Sequence, residues 1–146
     1  MTEVLHMIVE QTCDYPMRME FDPQTGEFHE REHRSLAFER GFTKPYGWIR
    51  ESGTPPQPHW DCILLSERAF ALGDEVEIRV IGVFQRGDGD HKYIAVETGR
   101  EICDLDQISA AEREELHRLY PRVREGEGWF GRKQALWCME HHEKAL

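Results

Sequence analysis

Arg79-Val80-Ile81-Gly82-Val83-Phe84-Gln85-Arg86-Gly87-Asp88-Gly89-Asp90-His91-Lys92-Tyr93-Ile94-Ala95-Val96 is the stretch on which the reading of this chain turns. Two apolar runs flank a short tip carrying two carboxylates, Asp88 and Asp90, and a lysine follows two positions after the second. Asp-Gly between apolar runs is a strong hairpin signal, so the composition describes a solvated turn joining two core strands. The same tip can hold a divalent cation beside an anion. Which of the two applies depends on the rest of the chain.

Working outward, Trp60 to Leu65 and Glu75 to Phe84 read as core strands joined through Leu72-Gly73-Asp74, with Tyr93 to Val96 after the acidic tip. Upstream, Val4 to Glu10 and Met17 to Phe21 alternate apolar and polar residues, separated by the turn Asp14-Tyr15-Pro16. Asp22-Pro23-Gln24-Thr25-Gly26 is another turn, after which Glu27 to Arg34 continues as a charged strand. An antiparallel meander is the simplest account. Thr54-Pro55-Pro56-Gln57-Pro58 must be a loop, because its prolines lack ladder donors.

The last third changes character. Ser109-Ala110-Ala111-Glu112 fits a capping box, predicting a helix to about Tyr120 that Pro121 stops. Arg132 to about Glu143 reads as a second helix with Ala135, Leu136 and Met139 on one face. Strands followed by helices indicate an α+β domain or a small barrel with helices packed outside.

The 146 residues are the size of one domain, 1–146, large enough to bury a core without staples. With 28 acidic against 18 basic residues the formal charge is -10, which repels nucleic-acid backbone and anionic membrane surfaces and attracts cations. No nucleic-acid or membrane partner is expected, and a single-strand-binding barrel is disfavoured. The four cysteines, Cys13, Cys62, Cys103 and Cys138, contain no Cys-x-x-Cys pair and read as free or buried thiols in a reducing compartment. The start MTEVLHMIVEQ lacks a basic n-region, and no apolar run approaches membrane-spanning length, so a cytoplasmic protein is expected.

Asp61 is the most telling polar position. Its strand Trp60-Asp61-Cys62-Ile63-Leu64-Leu65 is otherwise apolar, and an unpaired carboxylate there would be costly. It needs a cation, either a metal or an arginine such as Arg79. Glu10 and Glu20, also within strands, can equally face solvent.

The order of these pieces resembles that of the soluble inorganic pyrophosphatases of the Mg-dependent, OB-barrel type. A glutamate strand (Glu10) is followed by a basic-x-Glu-x-Asp strand, Arg18-Met19-Glu20-Phe21-Asp22. Next come Arg34 and Tyr46-Gly47-Trp48-Ile49, then Asp61 in its apolar strand. Ile81-Gly82-Val83, the acidic tip, Asp90-His91-Lys92 and Ile94-Ala95-Val96 continue the pattern, with Tyr120 ending a helix and Glu127-Gly128-Trp129 after it. The resemblance spans Val4 to His142. It implies a small OB-like antiparallel β-barrel with two C-terminal helices outside, a homo-oligomer, and hydrolysis of pyrophosphate or a related phosphoanhydride with Mg²⁺. Several such ions neutralise the substrate, activate the attacking water and stabilise the leaving phosphate. By resemblance, Asp61, Asp88 and Asp90 are metal ligands, with Glu10 and Glu20 in the outer metal shell or site network. Arg34, Lys92, Tyr46 and Tyr120 hold phosphate oxygens, Asp61 and Tyr46 being the catalytic pair. Arg18 stands where the family usually has lysine, a swap that keeps charge and changes geometry.

The resemblance breaks at the family's most diagnostic motif, Asp-Gly-Asp-Pro-x-Asp. Here it reads Pro56-Gln57-Pro58-His59-Trp60-Asp61, so two carboxylates have become prolines, and the lysine after the helix tyrosine is Pro121. Proline neither binds metal nor accepts a proton. His59, two residues before Asp61, can partly compensate as a ligand or base, or is an ordinary loop histidine. The spacing of His29 and His33, and Cys138 with His141, assemble no four-ligand zinc site. The alternative to a working enzyme is a protein of this fold that has lost catalysis and binds a phosphorylated ligand or a protein partner.

Overall fold

The computed structural model describes residues 4–141, so the predicted helix end at Glu143 and the resemblance's end at His142 lie outside the described residues. The strands are β1 (Leu5–Gln11), β2 (Met17–Asp22), β3 (Glu27–Arg34), β4 (Tyr46–Ile49), β5 (Asp61–Leu64), β6 (Glu75–Gln85), β7 (Lys92–Glu97) and β8 (Gly128–Gly131). The α-helices are α1 (Leu36–Glu39), α2 (Ala110–Leu119) and α3 (Arg132–His141).

Strands β1, β4, β5, β7 and β6 pair in that order, and β6 returns to pair with β1, closing a five-stranded barrel of the OB-like kind, with helices beside it. The barrel is mixed. β5 and β7 run parallel, with Asp61 opposite Lys92, so the chain is not a simple meander; the long β6 intervenes between them and takes both edges it needs. β2 and β3 form a separate hairpin. β1 and β4 lie so close that a Cβ on Gly47 would sit 1.8 Å from the Ile8 carbonyl oxygen, which is why this strand carries glycine.

β7 is buried on both faces. Tyr93 and Ala95 join Met7, Val9, Leu64 and Val80 in one core that α3 completes with Ala135 and Cys138. Ile94 and Val96 join Ile63, Ile81, Leu116 and Leu119 in a second, which α2 completes. Each such aliphatic side chain contributes roughly 1.5–3 kcal/mol by leaving water, which fixes the start of β7, and with it Lys92.

α2 begins as predicted, Ser109 and Glu112 exchanging both capping hydrogen bonds, and ends with Tyr120 as its cap. On α3 the inward residues are Ala135, Cys138 and Met139, whereas Leu136 points outward at 38% exposure. Spacings of three and four residues from Ala135 keep one face, and the neighbouring position leaves it. Among the elements that escape the sequence reading are the short α1, β4, and β8, whose Gly-Trp-Phe-Gly pairs with the end of β6.

Candidate active site

Parallel pairing of β5 and β7 places Asp61 and Lys92, far apart in sequence, side by side at the first residue of each strand. Lys92 Nζ donates to Asp61 Oδ2 at 2.7 Å and to Asp90 Oδ2 at 3.0 Å. The ammonium thus lies between two of the carboxylates assigned to metal. Burial lowers its proton affinity, but the charges of Asp61 and Asp90, the Tyr120 phenol and the hydrogen bond to Asp61 together offset this, and the lysine is held above its ordinary value.

The other Asp61 oxygen faces His59, with Nε2 3.2 Å from Oδ1. His59 Nδ1 lies 2.7 Å from the Gln57 carbonyl oxygen, so both ring nitrogens face acceptors and the doubly protonated ring suits the geometry. The bond to Asp61 raises the histidine above its ordinary value against the effect of burial. Burial pushes the Asp61 carboxyl up, yet the His59 hydrogen bond and the Lys92 charge together hold it well below the usual range. Asp61 is a fixed carboxylate whose cation is Lys92. Arg79, the arginine considered for this pairing, instead donates to the carbonyls of Thr98, Arg100 and Ile102.

The acidic tip is a turn with Gly89 at φ 83°, a left-handed conformation that glycine adopts without strain. Asp88 Oδ1 accepts from the Asp90 amide at 2.9 Å, and its Oδ2 lies 3.5 Å from the Arg86 guanidinium. The backbone bond from Asp90 holds Asp88 below its ordinary value. Glu127 braces the turn from outside, accepting from the Gly87 amide at 2.8 Å.

Beside the Lys92 ammonium opens a cavity of about 220 Å³ lined by Arg18, Tyr46, Arg86, Lys92 and Tyr120, with Gln11, Ser35, Leu36, Ala37 and Leu119 completing it. Arg18 is anchored by Glu10, which is buried and 2.9 Å away. Lys92 Nζ and the Arg18 guanidinium lie 5.7 and 6.0 Å from the Tyr46 ring centre. Tyr120 stacks flat on Phe84 with centroids 4.8 Å apart, and Trp129 of β8 tilts against the same ring. Burial raises both phenols above their ordinary value, so both stay protonated donors at neutral pH.

Of the residues singled out from sequence, Arg18, Tyr46, Lys92 and Tyr120 line this cavity, with Asp61, Asp90 and Glu10 holding its cations. Glu20 and Arg34 do not line it. Glu20 pairs with Arg31 across the hairpin, while Arg34 pairs with Glu39 and lies over Phe38 at 5.6 Å. Arg86 and Gln11 were missed, though Arg86 stands inside the decisive stretch, immediately before the acidic tip.

Among the described residues no group of three or more His, Cys, Asp or Glu side chains is arranged to hold a metal ion. The reason lies in the donors themselves. Both Asp61 oxygens are engaged, Asp90 shares the same ammonium, Asp88 turns to Arg86, and the preceding loop offers Pro56 and Pro58. The residues do not fit a resident cluster of several divalent ions. The zinc readings fare likewise: His29 pairs with Asp22, and Cys138 faces Gln85 while His141 stacks on Trp137. A larger depression of about 730 Å³ lies elsewhere, between Arg68, Phe70, Glu77 and Thr98, but its Arg68 and Glu97 are spent on each other.

A family model described as inorganic pyrophosphatase matches residues 7–144. The structure is similar to an inorganic pyrophosphatase from Neisseria gonorrhoeae, with TM-score 0.74, 18% identity, and 95% of this chain and 88% of that chain covered. It is similar to the enzyme from Helicobacter pylori, at TM-score 0.71 and 18% identity over 96% of this chain and 91% of that chain. The inorganic pyrophosphatase from Thermus thermophilus gives TM-score 0.67 and 22% identity over 96% and 89%. At these identities the structural likeness concerns the fold. Comparison with curated proteins yields no match.

Proposed function

Because the chain belongs to the inorganic pyrophosphatase family, diphosphatases that act on pyrophosphate and generally depend on metal ions, we propose that its cleft binds and hydrolyses a phosphoanhydride. The observation that carries this reading is the meeting of Arg18, Lys92, Tyr46 and Tyr120 around one cavity, with Asp61 fixed behind the lysine. Lys92 has spent two of its three N–H donors on Asp61 and Asp90, which leaves one for a phosphoryl oxygen. Arg18, positioned by Glu10, retains further N–H donors, and both phenols donate.

In this reading Mg²⁺ arrives with the substrate as magnesium pyrophosphate. The three cleft cations are already paired with carboxylates, so an anion gains by bringing its own counterion. Asp61 stands behind Lys92, with both oxygens engaged, and its low proton affinity makes it a weak base. The positions of the lost carboxylates hold Pro56 and Pro58. Loss of a general base costs about 10²–10⁴ in rate, so turnover is slow. A single domain over 1–146, a cytoplasmic location, a homo-oligomer and no nucleic-acid or membrane partner complete the reading; among the described residues no helix is long and apolar enough to cross a membrane.

Phosphate release from pyrophosphate with Mg²⁺ or Mn²⁺ tests it. Turnover above that of Asp61→Ala supports hydrolysis, and its absence sinks the enzyme reading. A second reading, binding without hydrolysis, is favoured by the two prolines and the fully engaged Asp61. Titration calorimetry with Mg²⁺-dependent heat and no phosphate release would select it.

A further inference from the structure

We propose that Arg86 binds the second phosphoryl group of the substrate and so selects diphosphates over monophosphates. The inference rests on the reading of the cleft as a phosphoanhydride site and names the residue that fits it to two phosphoryl groups rather than one.

The cations that line the cavity are spread along it. Arg18 belongs with Tyr46, its guanidinium 6.0 Å from the ring centre and its charge acting on that phenol. Arg86 belongs with Tyr120. It follows β6 directly, two positions after Phe84, whose ring stacks flat on Tyr120, and the strand period of two brings it to the same side. Its charge accordingly acts on the Tyr120 phenol against the effect of burial. Lys92 is shared: its Nζ is 5.7 Å from the Tyr46 ring centre, and its charge acts on Tyr120 as well. One lysine thus stands between two arginine–tyrosine pairs. A diphosphate, two phosphoryl groups joined through one oxygen, engages both pairs, whereas a monophosphate occupies one.

Arg86 also differs from the other two cations in how it is held. Arg18 is bound at 2.9 Å to the buried Glu10 and Lys92 at 2.7 Å to Asp61, so withdrawing either would strand a carboxylate away from water. The Arg86 guanidinium meets Asp88 at 3.5 Å, too far for a strong hydrogen bond, and the Asp88 side chain is 58% exposed. Asp88 recovers water when the arginine leaves it, and the guanidinium fork suits a phosphoryl group bidentately. The backbone beneath stays in place: the Arg86 amide donates to His91 Nδ1 at 3.0 Å, and its carbonyl accepts from the Gly89 amide at 3.2 Å. The exchange of partners therefore needs only the side chain to turn. Arg34, assigned to a phosphate by resemblance, is held outside the cavity by Glu39, and Arg86 supplies the arginine that the cleft would otherwise lack at this end.

Titration calorimetry of the full chain with Mg²⁺ tests the assignment, with imidodiphosphate, whose P–N–P bridge resists hydrolysis, and inorganic phosphate as the two anions. Arg86→Gln is expected to weaken imidodiphosphate about tenfold or more, the loss of charge-assisted hydrogen bonds to one phosphoryl group. Inorganic phosphate, held by the preorganised Arg18 and Lys92, should bind as it does to the wild type. The melting temperature should stay within about 2 °C, because so exposed a pair contributes little. Asp88→Asn approaches the same contact from its other side. It keeps the oxygen that accepts from the Asp90 amide and releases Arg86, so imidodiphosphate should bind severalfold tighter. Unchanged imidodiphosphate affinity in Arg86→Gln, or an equal loss for both anions, overturns the role of Arg86 and leaves the phosphoanhydride reading standing. Weaker binding by Asp88→Asn overturns the exchange of Asp88 for a phosphoryl group. A wild type that does not bind imidodiphosphate overturns both readings.

Discussion

Replacing Lys92 by methionine isolates the interaction on which the cleft is built. The lysine side chain is 7% exposed and its ammonium holds Asp61, itself 16% exposed. Removing one partner of a buried pair costs about 3–5 kcal/mol, because the other charge is stranded. Asp61 keeps its His59 partner, and Asp90 is exposed enough to recover water, so the low end, about 3 kcal/mol, is expected. For a chain of this length that is a fall in Tm of about 6–12 °C. Adding Asp61→Asn to Lys92→Met removes the stranded charge and should restore about 1–2 kcal/mol of the loss, a coupling that a merely additive pair would not show. The pH dependence has a definite sign. Asp61 is depressed below its ordinary value of 3.8, so its contribution is complete above that pH and is lost as pH falls through the folded value. Asp61→Asn should therefore flatten the decline of Tm below about pH 4. Thermal and urea denaturation followed by circular dichroism measure all of this. A fall of less than about 2 °C in Lys92→Met, or an unaltered acid slope in Asp61→Asn, would show that the buried pair is not what holds the site.

Gly47→Ala should give little soluble protein, since its Cβ would overlap the Ile8 carbonyl oxygen at 1.8 Å and neither strand can retreat from the barrel. Ellman titration of the native chain should find two reactive thiols, the exposed Cys13 and Cys103, and all four after denaturation; rapid reaction of Cys62, whose thiol burial pushes well up, would contradict the packing. Pro58→Asp restores a motif carboxylate beside His59, and Mn²⁺ binding followed by electron paramagnetic resonance should tighten severalfold over the wild type. No gain would mean that the loop backbone, rather than the missing carboxylate, keeps metal away.

Four of the five barrel strands were legible because their signals are local, while β4, four residues long, was not read as a strand. Alternation marked β1 and β2, apolar runs marked β5 to β7, and Ser109 with Glu112 marked the start of α2. The parallel β5–β7 pairing was not legible, since nothing in either strand encodes which edge it will meet; the long β6 decides it. β8 escaped because a four-residue strand that begins and ends in glycine carries no periodicity, and its strand conformation comes from docking on β6. In the site, the need of Asp61 for a cation followed from its apolar neighbours, but the choice of Lys92 over Arg79 is a consequence of that same parallel register. Glu20 and Arg34 lie on a hairpin outside the barrel, where nearer partners, Arg31 and Glu39, satisfy them.

The charge balance of the cleft joins the lost motif to the way the site would work. Three basic residues, Arg18, Arg86 and Lys92, meet four carboxylates, Glu10, Asp61, Asp88 and Asp90, and His59 adds a proton to the same network. With the imidazole charged the set is neutral. A divalent ion alone must displace an ammonium or an imidazolium to reach Asp61, and a bare diphosphate finds no excess positive charge. Entering together they cancel much of each other's charge, and the donors that remain on Lys92 and Arg18 are enough to orient the pair. By linkage, whatever factor Mg²⁺ adds to the affinity for the diphosphate, the diphosphate adds to the affinity for Mg²⁺. In the proposed reading the two prolines need not abolish the site: they would shift the source of its metal charge from the protein to the ligand.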